Sequence, residues 1–182
     1  MRLVSLELDN VRTIVHAEIP LHNGVSIFTG DIGTGKSSAV KGLEAALLGG
    51  ERNQLGELLR WGTEKGRVRV AFERKYPCVL TRTLLRDASG HVRQGDIECK
   101  ITKHGSVTRK VWSPTEAHAR LFTKLLRFPV PYARRHDVFR HIFAVPQDAM
   151  RDVLDDGAKD RVAVMRRVFR VEQFNIAAEN SG

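Results

Sequence analysis

Residues 27–40 read IFTGDIGTGKSSAV. An apolar run enters a glycine-rich turn and leaves it as a helix, and Gly30, Gly35, Lys36 and Ser37 fall on the spacing G-x-x-x-x-G-K-[ST]. In that context the backbone N–H groups of residues 31–38 curl around a β-phosphate, with glycine where a Cβ would block the approach. Lys36 bridges the β- and γ-phosphates as a point charge, and the Ser37 hydroxyl ligates magnesium. The helix that follows turns its positive end toward the same anion. The stretch therefore predicts a strand–loop–helix unit of the α/β class that binds ATP with Mg2+.

Working outward, MRLVSLELDNV alternates as a half-buried strand does, with Leu3, Leu6 and Leu8 as its apolar positions. HAEIPL reads as a second strand, and Asn23-Gly24 turns the chain into a third, VSIFTG, at residues 25–30. The helix after the loop is expected from about Gly35 to Leu48, where LLGG supplies a glycine stop. From Gly66 onward RVRVAFERK, CVLTRTLL and IECKITK, separated by DASGH and KHGS turns, predict an antiparallel β region. In WSPTEAHARLFTKLLRF, Ser113 is the candidate N-cap, Pro114 the first helical residue and Glu116 the return half of a capping box. Leu121, Leu125 and Phe128 lie on one side of that helix. RHDVFRHIF reads as a further helix, and AKDRVAVMRRVFRVEQF is amphipathic and basic, with a stripe of Val164, Met165, Val168 and Phe169.

Composition narrows the class. The chain has 182 residues, 42% of them apolar, enough for one good core. No apolar run reaches the roughly 18 residues of a membrane span, and MRLVSLELDN lacks the apolar block of a secretion signal, so an intracellular protein without a membrane partner is expected. Cys78 and Cys99 stand far apart, as plain buried thiols rather than a disulfide or zinc framework. The net charge is +9, and it is localised: residues 1–50 balance to −1 and residues 51–182 to +10. An ordinary solvated surface accounts for that excess, and so does a face for a polyanion.

A phosphate loop also needs an acidic residue at a strand end to hold the metal and position water. DVLDDG at 152–157 has paired acids but lacks the apolar strand before them. LLGGE at 47–51 is superficially like the L-S-G-G-[QE] motif of ABC-type ATPases, yet it lacks the serine and sits where a helix ends. These gaps point to an active site divided between separate parts.

The order strand, NVRTIVHAEI, strand, GDIGTGKSS, helix, β region, capped helix and then IFAVPQDAMRDVL resembles the N-terminal ATPase lobe of the Rad-fifty/SbcC family of SMC-like DNA-repair proteins, over nearly the whole chain. The resemblance implies an ABC-type half-head: a mixed sheet around the P-loop helix, an antiparallel β region and a helical segment, ending in the start of a coiled coil. It places an ATPase lobe at 1–157 and the beginning of the coil at 158–182. It implies a nucleotide site of Arg12, the loop residues Ile32, Gly33, Thr34, Gly35, Lys36, Ser37 and Ser38, the segment Leu59, Arg60 and Trp61, and Gln147. In that site Lys36 and Gln147 are the catalytic groups, and Ser37 and Gln147 hold Mg2+. The family usually has asparagine where Ile32 stands, and Gln147 is flanked by Pro146 and Asp148 rather than arginine and glycine. The resemblance also implies double-stranded DNA as a partner, with Arg93, Lys100, Lys103, Arg109 and Lys110 as contacts, chiefly to phosphates. The implied protein partners are the C-terminal lobe of the same ATPase, a second head in an ATP-bound homodimer, and an Mre-eleven-type nuclease. An ATPase that is inactive without its C-terminal lobe is the expectation. The alternatives are a head of the cohesin, RecF or RecN kind, a small P-loop kinase for a nucleotide or metabolite, and a non-enzymatic, nucleotide-gated DNA-binding module.

Overall fold

Every β-pairing among the described residues is antiparallel, in one six-stranded sheet of order β2-β1-β3-β4-β5-β6. The strands are β1 (Arg2–Val11), β2 (Ile14–Pro20), β3 (Lys65–Glu73), β4 (Pro77–Arg86), β5 (Val92–Lys103) and β6 (Ser106–Trp112). Three helices, α1 (Lys36–Leu48), α2 (Arg52–Leu58) and α3 (Pro114–Arg120), complete the described part. This computed structural model describes residues 1–49 and 52–120, which lie in the first of the chain's two compact units, Met1–Phe128.

The alternation of the sequence sets which face is core. Leu6 and Leu8 stand opposite Val70 and Val68, and Val70 and Val68 stand opposite Leu80 and Arg82. Directly paired residues share a face, so this row, with Phe72, Leu84, Ile97 and Cys99, forms a buried inner face. Leu3 has the wrong parity for that face. A bulge between Leu3 and Ser5 restores it, pairing Leu3 with the buried Phe72.

Helix α1 lies on this inner face. A Cβ on Gly42 would sit 2.6 Å from Leu8 Cδ2, so glycine is what lets the helix approach the sheet so closely. The far end of α1 is held by Arg82, which is buried and donates to the carbonyls of Ala46 (2.5 Å) and Leu47 (3.3 Å). Burial pushes this guanidinium down to about 9, and it remains protonated at neutral pH. A cation at the last carbonyls of a helix complements its dipole, and α1 carries no basic residue of its own in its last turn.

The predicted helix over 35–48 is present, and Gly49, at φ 81°, stops it. The capping box at α3 is also present: the Ser113 hydroxyl accepts from the Glu116 N–H, and Glu116 accepts from the Ser113 N–H. One expectation fails. Residues 25–30 form no strand, and Val25 and Ile27 are 88% and 78% exposed. Their alternation is strand-like, but no neighbouring strand among the described residues takes their backbone hydrogen bonds. The helix expected at RHDVFRHIF, the stripe of Val164 to Phe169, the apolar side of Leu121, Leu125 and Phe128, and the 157/158 boundary lie outside the described residues.

Candidate functional site

The loop reaches α1 through Gly35, whose φ of 97° is a left-handed conformation that glycine adopts without strain. A Cβ there would also stand 3.1 Å from Ile14 Cγ1 and 3.4 Å from Thr13 Oγ1. The cradle is thereby pressed against the tight turn between β1 and β2. At this helix start no side chain caps the first turn and no acidic residue stands in it. The first helical hydrogen bond runs from the Ala39 N–H to the Gly35 carbonyl at 2.9 Å. The N–H groups before it are left for an anion.

Lys36 donates to the carbonyls of Gly30 and Asp31, at 2.6 Å each. The loop thus closes on its own lysine, and a phosphate has to draw the ammonium from these two acceptors. Thr34 Oγ1 donates to the Asp31 carbonyl at 2.8 Å and tightens the same turn. Ser37 is exposed, with its hydroxyl free to meet a cation, whereas Ser38 is buried and lies 3.4 Å from Thr13 Oγ1. Ile32 and Gly33 form the exposed tip.

The turn between β1 and β2 gathers the other expected groups. Arg12, at φ 51°, donates its N–H to the Leu58 carbonyl at 2.8 Å. Val11 bridges Leu59, the Arg60 N–H donates to the Asn10 carbonyl at 3.0 Å, and Arg60 Nη1 donates to the Thr13 carbonyl at 2.8 Å. Arg12, Leu59 and Arg60 therefore converge on the turn that also touches Gly35 and Ser38. Arg12 Nη1 is buried with no hydrogen-bond partner among the described residues. A buried donor of that kind lacks an acceptor, and a phosphate oxygen would supply one, so the donor set fits a nucleotide. Trp61 is 91% exposed, with the Arg86 guanidinium carbon 6.0 Å from its ring centre. Gln147 and the acids of DVLDDG lie outside the described residues.

The sheet divides the five cations expected to meet DNA. Lys100 pairs with Arg109 across β5 and β6, and Arg93 shares a row with Leu85 and Lys65, all on the outer face away from α1. Lys110 stands opposite the buried Cys99, and Lys103 shares that parity, so these two belong to the inner side. Lys103 lies 5.3 Å from the Tyr76 ring centre. Glu98 holds both Lys100 (3.0 Å) and Arg109 (2.8 Å), and hydrogen bonds from Arg109 and Lys100 keep its carboxyl below the ordinary range.

Lys65, Arg67 and Arg69 in KGRVRV are not among the five expected contacts, although their spacing in the sequence is a legible signal. Cations at every second residue of a strand share one face, and these three join Arg93, Lys100 and Arg109. Burial pushes the thiols of Cys78 and Cys99 up, Cys99 to about 12, which suits inert core residues. Among the described residues there is no cluster of side chains fit to hold a metal on its own, and no helix is long and apolar enough to cross a membrane.

The family pattern that matches this chain is that of an AAA domain, over residues 5–175. A sequence comparison with curated proteins finds no match. Among solved structures, the chain is similar to the recombination mediator protein RecF of the RecFOR pathway. With ATPrS the identity is 18% over 58% of this chain, at a TM-score of 0.44. With ATP it is 17% over 84%, at a TM-score of 0.46. The matches span 27% and 41% of those RecF chains.

Proposed function

This chain belongs to the AAA-domain family, and on that premise we propose that it is the ATP-binding N-terminal lobe of an SMC-like ATPase head acting in DNA repair. One observation carries the reading. A complete phosphate cradle is preceded by an apolar segment, residues 25–28, that no strand pairs among the described residues and that leaves Val25 and Ile27 in solvent. An alternating segment with exposed apolar side chains awaits a neighbouring strand to become one itself, and the C-terminal lobe of the same ATPase is the partner that would bring it.

In this reading the N–H groups at the start of α1 bind the β-phosphate and Lys36 leaves the Gly30 and Asp31 carbonyls to span the β- and γ-phosphates. The Arg12 guanidinium donor finds its acceptor on the phosphates. Ser37 and Gln147 would hold Mg2+, which when bound offsets phosphate charge. Leu59, Arg60 and Trp61 flank the base and ribose. ATP closes two heads into a dimer, hydrolysis reopens them, and double-stranded DNA is held on the sheet. The finer part of the proposal is the Rad-fifty/SbcC branch with an Mre-eleven-type nuclease as partner, supported by the order of elements and the stretch QDAMRDVL.

Titration with a fluorescent ATP analogue tests the cradle. Lys36→Ala removes a charge-assisted contact of about 1.5–3 kcal/mol, so affinity should fall roughly ten- to a hundredfold with the thermal melt unchanged. Unchanged affinity in a folded variant would remove Lys36 from the site.

A further inference from the structure

The outer face of the sheet contains a concavity of about 450 Å3 running along β4. Its floor is made by the short side chains of Thr81 and Thr83, because β4 presents these between taller neighbours on β3 and β5. Lys65, Arg67 and Arg69 stand along the β3 side and Lys100 on the β5 side. The walls are two inter-strand spacings apart, roughly 9–10 Å, which admits a single sugar–phosphate backbone. Successive cations on the β3 wall are two residues apart, about 6.7 Å, comparable to the separation of neighbouring phosphates along one strand.

The ion pairs on this face keep the trough open. Arg67 bonds Asp9 (2.7 Å) and Glu7 (2.9 Å), and Arg69 bonds Glu7 (2.6 Å). Both guanidinium groups are thereby drawn toward β1, away from β4. The lining carries four cations to two carboxylates, and Glu7 beside it is a third; all three are already engaged, Glu7 by Arg67 and Arg69, Asp9 by Arg67 and His16, and Glu98 by Lys100 and Arg109. Arg69 Nε is buried with no hydrogen-bond partner among the described residues. One surplus positive charge, cations along both walls and two hydroxyls on the floor describe a receptor for a phosphodiester.

We propose that the trough over β4, walled by Lys65, Arg67, Arg69 and Lys100 and floored by Thr81 and Thr83, seats one backbone strand of duplex DNA. This rests on the DNA-binding reading above and gives it a face, opposite the one that carries α1. Phosphate contacts of this kind are indifferent to base sequence and steeply dependent on salt.

The test compares two variants of the 182-residue chain with equal charge change. Lys65→Gln with Lys100→Gln alters the outer face, and Lys103→Gln with Lys110→Gln alters the inner side. Duplex affinity is measured across a salt series by fluorescence anisotropy, with circular dichroism to verify folding. The outer pair should reduce the magnitude of the log–log salt slope by about 1.8, from two contacts of about 0.9 each, and the inner pair should leave it as it is. Thr81→Val with Thr83→Val should weaken binding severalfold at unchanged slope. Equal effects of the two lysine pairs, or an unaltered slope in the outer pair, would overturn the assignment of the face while DNA binding stands. Failure of the unsubstituted chain to bind duplex at low salt would overturn the DNA reading, and this proposal with it.

Discussion

VSIF at residues 25–28 and VRVAF at 68–72 carry the same alternating signal and meet opposite fates. Val68, Val70 and Phe72 are at most 1% exposed, whereas Val25 and Ile27 are 88% and 78% exposed and Phe28 is 38% exposed. The difference is the neighbour. β3 has β1 on one side and β4 on the other, while residues 25–28 have no strand beside them among the described residues. Alternation states which side chains a strand could bury; a pairing partner decides whether it does. Among the described residues the β region pairs within itself, and the cradle is attached to it at the turn between β1 and β2 and through α1.

The largest effect should separate these two stretches. Phe72→Ala deletes a ring buried among the sheet's core and should cost about 3–5 kcal/mol in a denaturant melt, whereas Ile27→Ser should change the stability of this chain by less than about 0.5 kcal/mol. Once a completing lobe is bound, Ile27→Ser should weaken that assembly. Comparable destabilisation by both changes in the chain alone would mean that residues 25–28 are already packed.

The smallest effect concerns acid. Burial acts to raise the Asp9 carboxyl, but hydrogen bonds from His16 and Arg67 outweigh it and the pKa lies below its ordinary value of 3.8. A carboxylate depressed in the folded state contributes stability that is fully present above the unfolded value and is lost as pH falls through the folded one. The denaturation midpoint should therefore decline more between about pH 5 and about pH 3 in the parent than in Asp9→Asn. Identical declines would show that the Asp9 ion pairs do not support the sheet. The cradle, which contains no such paired carboxylate, gives ATP binding as an independent readout.

Most of the scaffold was legible because its signals are local. Period-two apolar residues marked β1, β3, β4 and β5, Ser113-Pro114 marked the start of α3, and Gly49 the end of α1. The lysine, serine and glycines of the cradle were legible for the same reason. What escaped depends on contacts across the chain. The bulge that returns Leu3 to the inner face, where it is half-buried, is a property of the β1–β3 register. Arg82 is in phase with Cys78, Leu80 and Leu84, so its parity pointed inward, but only the α1 carbonyls explain a charge there. The cations of β5 and β6 look contiguous in sequence, yet their parities send Lys103 and Lys110 to one side and Lys100 and Arg109 to the other. The absence of a strand at 25–30 could not be read at all, since its local pattern is that of a strand.

We propose that the cradle belongs to a site completed by a second lobe. Catalysis of phosphoryl transfer is mostly positioning and electrostatic stabilisation; in the proposed reading the water-positioning acid and the γ-phosphate cage come from another lobe, so the cradle alone should bind and not turn over. The direct measurement is steady-state ATP hydrolysis by the purified chain across a range of concentrations, alone and with the C-terminal lobe added. Activity near background is expected for the chain alone, and restored hydrolysis that rises more than linearly with head concentration when the lobe is present. Robust turnover by the chain alone, proportional to its concentration, would contradict it and point to a self-contained nucleotide-hydrolysing or phosphate-transferring enzyme.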